Sequence, residues 1–141
     1  MQQMKNKLIF AFFLFLIMEY FLRTFVKQYK YHEVGFLMEL LPLTIASILT
    51  SFLSRKIIIE TKNFRAVYLK LSFASIIGFL TAKTILFFQW YWIIAPEYRN
   101  VSGDMEEGLT WTLFESIFSV FEIIILFLIS VFIIKLFRKV N

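Results

Sequence analysis

Apolar residues in this chain fall into four long blocks, each set off by a short charged segment. Blocks of that length fit membrane-crossing helices better than the alternating or amphipathic patterns of a water-soluble core. The first block follows a basic lead, MQQMKNK, and supports a span over about 8–26. Its start resembles a signal peptide, but no small-x-small cleavage site follows, and Glu19, Tyr20 and Arg23 continue the run. The second span covers about 34–53 and contains Pro42, which removes a backbone donor and predicts a kink or local unwinding near Met38. The third covers about 68–94 and ends in Trp90, Tyr91 and Trp92; the fourth covers about 109–136 and starts beside Trp111. These elements predict an all-α integral membrane protein, a single domain over 1–141 folded as a four-transmembrane-helix bundle.

Two faces within these blocks predict close helix contact. Leu43, Ala46, Thr50 and Ser54 lie near one side of the second span, with Glu39 above them and Ser47 at the margin. Ser72, Ser75, Gly78 and Ala82 form a small face on the third. Of the connectors, 54–65 is basic and interrupted by Ile57, Ile58 and Ile59, which predict an interfacial segment or an extension of the second helix. Residues 95–108 carry Pro96, Gly103, Gly108 and several acids, and read as a loop.

Charge orients the spans. With four crossings, Lys5, Lys7, Arg55, Lys56, Lys62, Arg65, Lys70, Lys135, Arg138 and Lys139 fall on one side; the other receives Arg23, Lys27, Lys30 and Arg99. The positive-inside rule then predicts a multi-pass protein of the cytoplasmic (inner) membrane with both termini in the cytoplasm. Composition agrees: 60% of the 141 residues are hydrophobic and the mean hydropathy is +0.74. The net charge of +5 is therefore assigned to topology and anionic-lipid contact, not to nucleic acid. With no cysteine, thiol chemistry and Cys-ligated metals have no ligands, and the one histidine, His32, cannot build an imidazole cluster. No HExxH, GxSxG or P-loop pattern is present. The expectation is a non-enzymatic protein with no catalytic residues, no metal and no cofactor.

The chemistry that remains is ionisable and lies inside the spans. Lys83 sits well inside the third block, and a lysine at that depth must be neutralised, solvated or used. At about 1.5 Å of rise per residue, Glu19, Lys83 and Glu122 fall near mid-membrane and Glu39 somewhat further out. These four form the candidate charge network or proton or cation site, with Glu39 and Glu122 the expected partners of Lys83. Glu19 has Arg23 one turn away as an alternative partner. Arg23, Glu115, Gln89 and Trp90 are secondary candidates; Glu115 shares a polar stripe with Thr112, Ser119 and Glu122.

In architecture alone, four short helices with a glutamate in the first and many aromatics are similar to the small multidrug resistance transporters. Glu19 lies deeper along its helix than that family's pattern, and its later small-residue motifs are not evident here, so no functional residue is carried over. The first expectation for function is an integral subunit or interaction protein, such as an accessory, immunity or defence component. Its partners would be the bilayer and other membrane chains or copies of itself. The alternative is a small homo-oligomeric transporter or channel coupling protons or cations through the intramembrane Glu and Lys residues.

Overall fold

A computed structural model describes residues 2–28, 35–89, 92 and 104–140, with side chains in 22–28, 35–39, 104–108, 111 and 138–140 left out of that description. Among the described residues the chain is helical and has no strand. The helices are α1 (Gln2–Gln28), α2 (Gly35–Leu53), α3 (Arg55–Glu60), α4 (Phe64–Gln89) and α5 (Asp104–Val140). Two stretches, Phe64–Gln89 and Thr112–Phe137, are long and apolar enough to cross a membrane, with mean hydropathies of 1.8 and 3.0. The core helix of a soluble protein passes the same test but is mostly enclosed. Here only 39% and 17% of the respective apolar windows are buried.

Local chemistry sets the helix ends. Ser54 leaves helical geometry at φ −94° and ψ 3°, yet the hydrogen-bond ladder crosses it: its N–H donates to the Thr50 carbonyl, and Ile58 N–H donates to the Ser54 carbonyl, each at 3.0 Å. Extended backbone at Thr61 then ends α3. The Asn63 side-chain oxygen accepts from Ala66 N–H at 3.3 Å, capping the start of α4. The isoleucine run is thus a separate short helix. Ile58 is buried in the core, not laid on an interface. The chain is also continuously helical through Pro42, without the expected unwinding. α5 begins at Asp104, so Asp104, Glu106, Glu107 and Gly108 are helical and not loop. Acids in a first turn complement the partial positive charge of the helix N-terminus, which explains the early start.

Each long helix has two long neighbours: α1 packs on α2 and α4, and α5 packs on the same two. α1 and α4 run parallel, since 8–13 lies beside 70–77 and Tyr20 reaches Gln89. α5 runs the other way along α4. The Lys135 ammonium lies 3.7 Å from the Phe64 ring centroid, while Tyr68 donates to the Ile124 carbonyl at 2.8 Å. The link through α3 brings the C-terminal end of α2 to this same end. Lys5, Lys7, Arg55, Lys56, Lys62, Arg65, Lys70 and Lys135 therefore share one end of the structure.

The core follows helical stripes. Ala11 and Phe15 on α1, Phe79 and Ala82 on α4, and Ile123, Phe127 and Val131 on α5 are fully enclosed. Phe15 and Phe127 stack with ring centroids 5.9 Å apart. The small faces expected on α2 and α4 are both buried. At Gly78 the backbones of α1 and α4 meet: an added Cβ would overlap the Phe12 carbonyl oxygen and lie 3.0 Å from its carbonyl carbon. Only glycine permits that approach, the usual device where dispersion rather than hydrophobic burial holds helices together.

Candidate functional site

The stripe that makes the α1 core also delivers its charge. Ala11, Phe15 and Glu19 are four residues apart, so Glu19 continues the buried face and is only 4% exposed. On α4, Ser75, Phe79 and Lys83 do the same, leaving Lys83 6% exposed. The parallel packing sets these two side chains against each other, with Lys83 Nζ 3.4 Å from Glu19 Oε1. A second carboxylate arrives from α5: Glu115 Oε2 accepts a hydrogen bond from Lys83 Nζ, also at 3.4 Å. Glu115 sits beside buried Ser116, turned off the core stripe, and its side chain is 45% exposed. The Phe79 ring closes another side of the ammonium, its centroid 5.7 Å from Nζ.

Next to this triad lies a neutral contact between the same helices. Gln89 Nε2 donates to the Tyr20 hydroxyl at 2.8 Å. Consecutive residues of α1, Glu19 and Tyr20, thus both bind α4, forming a polar seam of an ion pair and an amide–phenol bond. Low local dielectric strengthens each contact, and losing one partner strands the other.

The expected partners of Lys83 are corrected by this arrangement. Among the described residues, Glu19 and Glu115 hold it, in place of Glu122. Glu122 is half-buried two turns beyond Glu115 on α5, about 10 Å of rise away. The side chains of Glu39 and Arg23, and all of Trp90, lie outside the described residues. Lys83 is a partner seen for Glu19, and the expected Glu19–Arg23 pairing lies outside the described residues. Tyr20 is the site residue that sequence reasoning missed; its position next to Glu19, one helix away from Gln89, was the available signal.

Chain comparisons add no analogue. No protein-family model, curated protein or solved structure matches this chain. Function must therefore be argued from the site itself.

What the triad can do follows from its charges and exposure. One ammonium faces two carboxylates. Glu19 and Lys83 are enclosed, while Glu115 opens outward. Among the described residues, no three or more His, Asp or Glu side chains converge to hold a metal. The two carboxylates converge on an ammonium instead. A different polar feature lines α2 and the turn after it: Ser47, Thr50, Ser51 and Ser54 are buried, and their hydroxyls have no hydrogen-bond partner among the described residues. Elsewhere Thr44, Ser75, Thr81, Thr84 and Ser130 each donate to the carbonyl four residues back at 2.8 Å, the ordinary resting place for a helical hydroxyl.

Proposed function

We propose that the chain is a non-enzymatic, four-span protein of the cytoplasmic membrane, a four-helix bundle with both ends in the cytoplasm, that serves as an integral subunit or accessory of other membrane proteins. An immunity or defence component is the kind of role this fits. The basic end shared by α1, α3 and α4 supports the orientation, because positive residues are retained on the cytoplasmic side. The buried Glu19–Lys83 pair acts as a fixed tie between α1 and α4. Such a pair selects one helix arrangement over others of similar apolar packing.

The observation that carries the interaction reading is Glu115. Its carboxylate is 45% exposed on a helix whose neighbouring side chains Phe114, Ile117 and Phe118 are themselves exposed and apolar. A carboxylate on a lipid-facing apolar surface is costly. A partner helix carrying a lysine, an arginine or hydroxyls would cover it. The experiment is a photo-crosslinking residue placed at Phe118, in cells and in mild detergent. A discrete adduct with another membrane chain, or with a second copy, that weakens in Glu115→Gln supports the reading. A stable lone monomer giving no adduct overturns it.

The rival, a small homo-oligomeric transporter or channel, is favoured by one observation: the four adjacent buried hydroxyls of α2 and the turn after it. In that reading they and Lys83 would border a polar route. Flux across reconstituted vesicles separates the two readings.

A further inference from the structure

Between α1 and α4, on their outer side, lies an open groove of about 350 Å³. Its walls are Ile9, Phe12 and Phe13 from α1 and Phe73, Ala74 and Ile77 from α4, and Lys70 stands at the end nearest the helix N-termini. Ile9, Phe13, Phe73 and Ile77 are 56%, 53%, 66% and 40% exposed, so the groove faces away from the core. Its chemistry is divided along its length. The lining is hydrocarbon, to which Lys70 adds its stem, and Lys70 itself is exposed at the end one turn before Ala74. Lys5 on α1 precedes Ile9 and Phe12 by four and seven residues, so it lies on the same face at the same end, and it too is exposed. An apolar channel running away from two lysines is complementary to a single-chain segment attached to an anion.

We infer that this groove is a binding site for an anionic phospholipid of the cytoplasmic leaflet. One acyl chain lies along Ile9–Phe13 and Phe73–Ile77, and the phosphate sits between Lys5 and Lys70. The apolar walls span about 6 Å of helix rise, and about 10 Å counted from Lys70, enough to hold the upper part of an acyl chain. Basic pockets between spans on the cytoplasmic side are suited to such headgroups. The groove lies on the outer side of the same helix pair that the Glu19–Lys83 tie joins on its buried side, so an ordered lipid would brace that pair from outside. It rests on the membrane reading for its supply of lipid, but not on any partner or transport role.

The test uses the full chain in detergent, with native mass spectrometry and thermal unfolding on adding phosphatidylglycerol or phosphatidylcholine of identical acyl chains. The expected result is preferential retention of phosphatidylglycerol and a larger rise in Tm with it. Each of Lys5→Gln and Lys70→Gln should weaken that preference about fivefold, the value of one basic residue near a headgroup. Two groove variants check the acyl site: Ala74→Phe fills it, and Phe73→Ala removes an exposed wall with little risk to folding. Either should lower retention of both lipids. Equal retention of the two lipids by the unaltered protein overturns the inference. So does a preference that survives both lysine substitutions, or lipid retention that is unaffected by Phe73→Ala. Failure here would leave the topology intact, since side-specific labelling reads that independently.

Discussion

Replacing Lys83 by methionine removes the ammonium while keeping a flexible apolar stem of similar length. Glu19, whose side chain is only 5% exposed, would lose this ion pair. Two limits bound the cost. Removing one member of a buried ion pair typically costs about 3–5 kcal/mol. The chain can instead protonate the stranded carboxyl, and bringing a proton onto a glutamate of ordinary acidity at pH 7 costs about 4 kcal/mol. The two limits agree, so Lys83→Met should destabilise by about 3–4 kcal/mol, on the order of 10 °C in Tm for a chain of this size. Glu115→Gln removes a contact of the same 3.4 Å length, but from a half-exposed group, and should cost below about 1 kcal/mol. The Glu19→Gln/Lys83→Met double variant should recover most of the loss, because no buried charge is left over; the cycle should give a coupling of about 2–3 kcal/mol. Thermal unfolding of purified protein in mild detergent measures all four. If Lys83→Met is neutral, or Glu115→Gln is as damaging as Lys83→Met, the buried pair is not the tie between α1 and α4.

Further outcomes follow from the packing and charge layout. Gly78→Ala should destabilise by about 1–3 kcal/mol through overpacking against Phe12, despite alanine's better helix propensity, as read by unfolding in detergent. Phe127→Ala should cost about 3 kcal/mol by opening a cavity beside Phe15, read the same way. Lys135→Ala removes the contact over Phe64 at an exposed site and should cost no more than about 1 kcal/mol. Because the chain has no native cysteine, Lys62→Cys and Asn100→Cys report topology directly. An impermeant thiol reagent added to intact cells should label only Asn100→Cys.

The helices and their buried faces were legible because periodicity carries them. Ser72, Ser75, Gly78 and Ala82 are spaced for one face, and that face is buried, with Gly78 against Phe12 of α1. Lys83 stood out as a charge in an apolar run and is indeed buried. Its partners were not legible. Glu115 and Glu122 are seven residues apart on one stripe, so spacing presents both to the same neighbour. The choice between them depends on how far α5 slides along α4. Contacts distant in sequence set that register, Lys135 with Phe64 and Tyr68 with the Ile124 carbonyl. Glu19 had Arg23 one turn away as a local candidate, and only the parallel packing of α1 on α4 brings Lys83 to it as well. The start of α5 was hidden for another reason: acids and glycine are turn-forming in a loop and equally suited to a helix N-terminus.

The central claim is that the Glu19–Lys83–Glu115 cluster holds helices together and does not conduct. Proton and monovalent-cation flux into proteoliposomes, compared between the unaltered chain and the Glu19→Gln/Lys83→Met variant, addresses it most directly. Both proteins should give flux no higher than protein-free liposomes. Flux through the unaltered chain that disappears in the double variant would contradict the account and make the cluster a transport site.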